Sequence, residues 1–226
     1  LVANSDEGRT DVVCGNHEIK GVNNHALKEF GQHAVCLCSK ELIIKAFVSR
    51  EIFVTAWNKM TRKALLKEPL WFKEGILHED ELWTFLLVNC ASTLTCIEDT
   101  TYIYYIRNSS ITTTVQDRRK FESLAAISAI MIHMWHDGLL YPYKENRDYI
   151  LAKRNSWALA VIKNKKLSVI EKIHLIRIFY AQGEHYFFLY SLFNGYFLYC
   201  RYLFRSKLSR LIKVVKTFLK RFYIIL

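Results

Sequence analysis

Three short blocks of the sequence carry side chains that could do chemistry, at residues 56–62, 72–81 and 102–112. The middle block ends in three consecutive carboxylates, a type of group that can accept a proton. The first block offers an aromatic ring, an amide and an amine, and the last offers a guanidinium that can hold phosphate by two hydrogen bonds. The candidate residues are Trp57, Asn58, Lys59, Glu79, Asp80 and Arg107.

Taken singly, each block also has a purely structural explanation. Carboxylates at the start of a helix are expected anyway, because the helix dipole favours negative charge there. Trp57 could belong to a core, and Arg107 could be an ordinary surface charge. The three blocks therefore indicate a site only because they occur together, in this order and spacing.

Cysteine and histidine spacing does not predict a metal site. Cys36 and Cys38 follow His33, but this spacing fits no zinc pattern. The six cysteines are expected to be reduced and mostly buried thiols, because a chain of 226 residues does not need disulfides for stability. No Asp-x-Asp sequence occurs in the chain, so no metal ligands are predicted.

Hydrophobic periodicity predicts which elements position the three blocks. The composition, 51% hydrophobic and 23% charged, excludes a disordered or collagen-like chain. We expect strands at 11–15, 93–97 and 102–106, helices at 40–47, 56–66 and 78–91, and a polar loop at 16–35. In the helix at 78–91, Leu82, Phe85, Leu86 and Asn89 are expected to share one side. The first part of the chain is therefore predicted to be α/β.

After residue 112 the pattern becomes helical. Helices are predicted at 121–135, 146–163 and 168–182, and Ser168 with Glu171 forms a candidate capping box. These patterns divide the chain into an α/β part at 1–114, a helical extension at 115–206 and a separate terminal helix at 207–226.

The net charge of +11 is concentrated at the C-terminal end, where eight basic residues and no acidic residue follow Glu184. The segment 207–226 predicts a helix with one apolar and one basic face, which is typical of helices that lie on a membrane surface. The alternative is a terminal helix docked on the domain. Nucleic acid is not expected as a partner, because aromatic residues do not alternate with the basic ones. The predicted membrane-contacting residues are Leu208, Leu211, Ile212, Val215, Phe218, Leu219, Phe222, Lys207, Arg210 and Lys213.

The apolar run at 186–200 is too short for a spanning helix, which needs about 20 residues. It is interpreted as a helix packed on its neighbours.

Together the three blocks resemble the C-terminal half of the catalytic domain of family 2 glycosyltransferases, especially bacterial enzymes that build capsule, exopolysaccharide or O-antigen. That family has a W-N-K-(L/M)-Y-R block, then F-x-x-G-x-x-x-E-D, a helix, and a Y-Y-Y-R…S-I-T strand. The likeness covers roughly residues 11–114. Thr61 replaces the commoner aromatic residue, and Tyr105 stands where an arginine is often found.

The resemblance implies a GT-A fold, a nucleotide-sugar donor and inversion at the anomeric carbon by a single displacement. Asp80 matches the family's catalytic base, and the helix N-terminus is expected to keep its pKa low. Glu79 is expected to orient the acceptor or its loop. Arg107 is expected to stabilise the leaving diphosphate. Trp57 and Asn58 are expected to shape the sugar pocket, and Lys59 to contact phosphate.

The family's nucleotide-binding half, with its Asp-x-Asp metal motif, has no counterpart in this sequence. We therefore expect a divalent metal, Mg²⁺ or Mn²⁺, only in a longer protein, and expect this chain alone to bind no nucleotide-sugar and to be inactive. The acceptor is expected to be a lipid-linked glycan, and the location the cytoplasmic face of the membrane. Two alternatives stay open: a truncated or degenerate family member without catalysis, and an unrelated basic protein that binds membranes or nucleic acid.

Overall fold

The computed structural model describes residues 9–21, 33–106 and 117–181, which form a small sheet covered by helices. Its elements are β1 (Val12–Gly21), β2 (Val35–Leu37), α1 (Lys40–Val48), β3 (Lys59–Thr61), α2 (Glu79–Cys90), β4 (Leu94–Ile106), α3 (Asp117–His136), α4 (Lys144–Lys163) and α5 (Val169–Ala181). All described strands come before residue 107, and the described elements after it are helices. The predicted fold class, a partial α/β domain with a helical extension, is confirmed.

The sheet has the strand order β2–β4–β1–β3. Its two long central strands, β1 and β4, run parallel, with Val12 opposite Leu94 and Gly21 opposite Ile106. The two edge strands are antiparallel to their neighbours and contain only three residues each. Such short edges offer little unpaired backbone to another chain.

The carboxylate of Asp11 fixes the end of the sheet at which β1 and β4 begin. It accepts hydrogen bonds from the backbone N–H groups of Ser92 (2.7 Å) and Thr93 (3.2 Å). Its other oxygen lies 3.3 Å from Nε of Arg62, directly after β3. One largely buried carboxylate thus joins the starts of both central strands to the end of an edge strand.

Three sequence predictions for this region were wrong. The helix predicted at 56–66 is absent, and β3 with a short 3₁₀ turn at Lys63–Leu65 takes its place, because Lys59–Thr61 pairs with β1. The polar loop predicted from residue 16 begins as the second half of β1, which pairs with β4. The two strands predicted at 93–97 and 102–106 are one strand, β4.

Helix α2 lies at the centre of the described structure. The prediction of a helix at 78–91 is confirmed, but the expected one-sided burial is not. Every residue from 82 to 89 is buried. One core cluster joins α2 to buried residues of the sheet, to α1, and to α3 and α4 of the helical part. A helix that is apolar on all of its sides is usually buried by the rest of the protein.

The helical part packs on α2 and also has a small core of its own. Leu175 and Phe179 of α5 are buried in that second core against α3 and α4. The predicted capping box is confirmed, because Ser168 N–H donates to Oε2 of Glu171 (2.8 Å) and Glu171 N–H donates to Oγ of Ser168 (3.3 Å). The predicted division at 114 and all residues after 181 lie outside the described residues.

Buried amides connect α2 to the helical part. Asn89 and Asn146 each donate from Nδ2 to the other's Oδ1, at 3.2 and 2.7 Å. None of the helices in the described ranges is long and apolar enough to cross a membrane.

The five described cysteines are free thiols. Cys14 and Cys96 are buried, whereas Cys36 and Cys38 are exposed on the edge strand side of the sheet. The expectation of mostly buried thiols therefore fails for this pair.

Candidate active site

The first turn of α2 presents the three consecutive carboxylates. The residue before the helix, His78, has a left-handed backbone with φ of 61°, and Gly75 has φ of 78°. A positive φ is uncommon for residues other than glycine, although histidine, asparagine and aspartate adopt it more readily than most, and it is often found at functional sites. Leu77 N–H donates to Oγ of Ser123 in α3 (3.0 Å), which holds this turn against the helical part.

The three carboxylates have different surroundings. Glu79 is exposed. Glu81 forms a largely buried ion pair with Lys153 of α4, with Nζ at 2.7 and 2.9 Å from its two oxygens. Asp80, between them, is half-buried. Of these three carboxylates, only Asp80 is both partly shielded from water and outside any ion pair in the described part of the chain.

The predicted low pKa of Asp80 was wrong. Burial raises the pKa of its carboxyl above the usual value, and the negative charges of Glu81 and Glu79 raise it further. The helix N-terminus stabilises the carboxylate, but desolvation and two like charges outweigh this. A higher pKa makes the carboxylate a stronger proton acceptor, which suits a general base better than the expected low value.

Trp57 is part of an aromatic cluster on the sheet. Its ring stacks on Tyr102 of β4 with centroids 4.2 Å apart and on Tyr104 at 5.7 Å. The ring of His17 in β1 meets Trp57 edge-on at 5.0 Å. Trp57 is half-buried and Tyr102 is exposed, so the cluster offers an aromatic surface to solvent.

Asn58 and Lys59 mainly hold their own loop together. The fully buried Asn58 donates from Nδ2 to the carbonyl of Gly15 (2.7 Å). The amine of Lys59 donates to the carbonyls of Phe53 and Thr55 and to Oδ1 of Asn58. Burial lowers the pKa of Lys59. The expected phosphate contact of Lys59 requires its amine to give up one of these acceptors.

A pocket of about 430 Å³ opens beside α2 and β3. It is lined by Ala56, Lys59, Thr61, Leu66, Leu70, Trp71, Phe72 and Trp83. Trp83 of α2 holds the pocket wall in place, because its Nε1–H donates to the carbonyl of Leu70 (3.1 Å) and its ring stacks on Phe72 at 5.1 Å. Trp71 and Phe72 are 64% and 50% exposed, so aromatic faces remain open to a ligand.

Asp80 lies one helical turn before a residue that lines this pocket. Residues three apart on a helix are neighbours, so Asp80 and Trp83 share one side of α2. The negative charge of Asp80 also partly opposes the lowering of the Lys59 pKa that burial causes, and Lys59 lines the same pocket. A half-buried carboxylate is thus one helical turn from an aromatic pocket. This pairing could place an acceptor hydroxyl near a base.

Sequence reasoning missed the pocket residues Trp71 and Trp83. The signal that could have found Trp71 is its position: two adjacent aromatic residues, Trp71 and Phe72, follow Pro69 in an otherwise polar stretch. Arg107 and every predicted membrane-contacting residue lie outside the described residues. Within the described ranges, no three histidine, cysteine, aspartate or glutamate side chains gather as a metal site.

No protein-family model and no curated protein matches the sequence. Solved structures do match. A crystal structure of S. aureus TarS residues 1–349 in complex with UDP-GlcNAc aligns at 18% identity with a TM-score of 0.55, over 80% of this chain and 52% of the TarS chain. TarS 1–349 without a named ligand aligns with a TM-score of 0.51 over 82% of this chain and 51% of that chain, also at 18% identity.

The complex of TarS 1–349 with UDP gives a TM-score of 0.50 at 18% identity, over 82% of this chain and 52% of that chain. The chain thus spans about half the length of the structures that it matches. The described sheet and helices form part of a glycosyltransferase fold. The TarS structures are 18% identical to this chain, and at this identity the likeness concerns the fold alone.

Proposed function

We propose that this chain is the acceptor-side portion of an inverting glycosyltransferase, which transfers a sugar from a nucleotide-sugar to a glycan acceptor that is lipid-linked. The likeness to a structure that binds UDP-GlcNAc supports a nucleotide-sugar donor. The resemblance of the three sequence blocks to family 2 enzymes supports the same reaction class. The activity, substrates and partners are proposed for the protein that contains this chain.

The observation that carries the proposal is the half-buried carboxylate of Asp80, three residues before Trp83, a side chain of α2 that lines the aromatic pocket. In the proposed reaction, the acceptor hydroxyl gives its proton to Asp80 as its oxygen attacks the anomeric carbon. The bond from that carbon to the donor's diphosphate breaks, and the diphosphate leaves with the electron pair. Because this is a single displacement, the anomeric configuration inverts.

The other residues have supporting roles in this proposal. Glu79, exposed beside Asp80, orients the acceptor. Trp57 offers its aromatic surface to a sugar, and Asn58 shapes that surface indirectly by holding the loop. Arg107 is assigned to the leaving diphosphate from its place in the sequence. Lys59 is assigned a contact with phosphate, for which its amine gives up one of its present acceptors.

The proposal extends to a divalent metal and to the membrane. Mg²⁺ or Mn²⁺ is assigned to the protein that contains this chain, and the described residues form no group of three or more metal-ligating side chains. The basic segment 207–226 is proposed to bring the enzyme to the cytoplasmic face of the membrane. A lipid-linked acceptor is concentrated at that surface.

A transfer assay on the gene product that contains this chain tests the proposal. Labelled nucleotide-sugars, with UDP-GlcNAc first, are incubated with divalent metal and a lipid extract that supplies acceptors. We expect labelled lipid-linked product whose new linkage has the opposite anomeric configuration to the donor. A folded protein that transfers from no donor contradicts the proposal and favours a non-catalytic relative, and retained configuration contradicts the single displacement.

A further inference from the structure

The first two turns of α5 carry an exposed aliphatic patch that the proposed reaction does not use. Val169, Ile170 and Ile173 are 63%, 80% and 56% exposed. Residues three and four apart on a helix lie side by side, so the three side chains form one patch. The opposite side of α5 is buried against α3 and α4 through Leu175 and Phe179. The patch therefore faces away from the core.

Basic residues are numerous at the end of the helical part that carries this patch. The loop from α4 to α5 lies against the start of α3, because Asn164 donates to Asp117 (3.2 Å) and Lys166 lies 3.6 Å from the same carboxylate. The ends of three helices thus meet in one region, which we call the basic corner. Its basic members are Arg118, Arg119, Lys120, Lys163, Lys165, Lys166 and Lys172.

The three acidic residues of the basic corner are already engaged. Asp117 accepts from Asn164 and lies near Lys166. Glu122 pairs with Arg118 at 2.9 Å, and Glu171 caps α5 through Ser168. The basic corner therefore keeps a strong excess of positive charge around an aliphatic centre.

We propose that the basic corner docks on an anionic lipid bilayer, with Val169, Ile170 and Ile173 inserted at the level of the headgroups. Moving aliphatic side chains from water into the interfacial region of the bilayer is favourable. Lysine side chains at the rim lay their methylene stems on the apolar region and keep their amines among the lipid phosphates.

Three other occupants fit the basic corner less well. A soluble polyanion would use the charges but gains nothing from three exposed aliphatic side chains. A second copy of the chain would bring the same positive charge against itself. Residues 201–226 of the chain itself carry eight basic side chains and no acidic one, so they are repelled as well. The apolar run at 186–200 carries no charge; if it covers the patch instead, Ile170→Ser/Ile173→Ser leaves vesicle binding unchanged, which overturns the inference.

This inference stands apart from the proposed sugar transfer, and it concerns a different surface from the predicted helix at 207–226. Two weak membrane contacts in one molecule act together, because the first to bind raises the effective concentration of the second. The basic corner must therefore be tested both with and without the contribution of the terminal segment.

Co-sedimentation of the intact chain with phosphatidylcholine vesicles, with or without phosphatidylserine, tests the inference. Ile170→Ser/Ile173→Ser is expected to weaken binding to the anionic vesicles by at least about tenfold, because two side chains lose their burial in the interface. The fold is expected to survive, since both residues are exposed. Leu139→Ser, which changes a 64% exposed leucine away from the basic corner, is the matched control and is expected to bind as the parent does.

The comparison of Ile170→Ser/Ile173→Ser with its parent is repeated in a protein that also carries Leu211→Glu/Val215→Glu. Those two changes interrupt the predicted apolar face of the terminal segment. Residual binding to anionic vesicles that Ile170→Ser/Ile173→Ser then removes supports the inference. Equal binding with and without Ile170→Ser/Ile173→Ser overturns the inference. The absence of any residual binding overturns it as well.

A charge variant, Lys163→Gln/Lys165→Gln, is expected to weaken binding only to the vesicles that contain phosphatidylserine. Binding of inorganic polyphosphate tests the alternative that the basic corner is a site for soluble polyanions. If polyphosphate binds the parent and Ile170→Ser/Ile173→Ser equally well, and vesicle binding does not depend on the two isoleucines, the basic corner is a polyanion site and the inference fails.

Discussion

Asn58 and Gly15 are joined by a reciprocal pair of hydrogen bonds. Nδ2 of Asn58 donates to the carbonyl of Gly15 (2.7 Å), and the N–H of Gly15 donates to the carbonyl of Asn58 (2.9 Å). Oδ1 of Asn58 also accepts from Oγ1 of Thr55 and from the amine of Lys59. One buried amide thus fastens the loop before β3 to the middle of β1, next to the proposed active site.

Asn58→Ala is expected to lower the free energy of unfolding by about 3 kcal/mol, because the carbonyl of Gly15 loses its side-chain donor and Thr55 and Lys59 each lose an acceptor. Chemical denaturation measures the change. Thr55→Val removes only one of the bonds to this amide and is expected to lower the free energy of unfolding by about 1 kcal/mol. Equal effects of the two changes would show that the amide does not organise the loop.

Gly15→Ala is expected to destabilise the protein by about 1–3 kcal/mol, the usual range for overpacking. A Cβ at this position would lie 2.1 Å from Oγ1 and 2.5 Å from Cγ2 of Thr101 in β4. Thr101→Ala removes both of those atoms but leaves Cβ at 2.8 Å, so it is expected to restore part of the loss. A double-mutant cycle by thermal denaturation measures this coupling, and strict additivity would contradict the close contact.

Asp80→Asn is expected to stabilise the protein at neutral pH. The folded-state pKa of Asp80 lies above the unfolded value, so the folded state holds this proton more tightly. The protonated carboxyl of Asp80 therefore adds to the free energy of unfolding below the ordinary carboxyl pKa. This contribution is lost as pH rises through the folded-state pKa. Melting temperatures at about pH 7 and about pH 3 measure it, with a gain expected only at the higher pH. Glu79→Gln, at an exposed position, is the control.

The same Asp80→Asn change is expected to lower turnover by at least about 100-fold in the gene product that contains this chain, the usual effect of losing a general base. Donor affinity is expected to change little, because Asp80 serves the acceptor. The rate of the unchanged enzyme should fall as pH drops through a pKa above the ordinary aspartate value. Near-normal turnover of the variant would mean that another group is the base.

The terminal segment is expected to bind anionic membranes through its apolar side as well as its charges. Leu211→Glu/Val215→Glu should therefore reduce vesicle binding even at about 0.3 M salt, where charge attraction is strongly screened. Co-sedimentation at low and high salt measures the difference. Unchanged binding by the folded double variant at high salt would favour the docked-helix alternative.

The elements that sequence patterns predicted well are those whose local preferences agree with their surroundings. Helices α1, α2, α4 and α5 were predicted to within two residues at each end, and the capping box of α5 was predicted from Ser168 and Glu171 alone. These segments combine helix-forming residues with a regular apolar period. Their boundaries follow from capping and turn residues nearby in the chain.

The failures occur where distant contacts decide the structure. Residues 56–66 contain good helix formers, yet Lys59–Thr61 pairs with β1 some forty-five residues earlier. The raised pKa of Asp80 depends on burial, which no local pattern encodes. Asn58 matched a family block in the sequence, but only the fold shows that its amide is fully enclosed. The aromatic pocket likewise depends on Trp83 meeting Leu70 across a turn.

The parallel pairing of β1 with β4 also has a consequence for how the protein is made. Val12 pairs with Leu94, so β1 leaves the ribosome long before its partner exists. At bacterial and eukaryotic synthesis rates, the interval is on the order of ten seconds. Pairing between distant segments is also slow in itself. During this interval the apolar start of β1 is open to other nascent chains, and early chaperone binding would protect it.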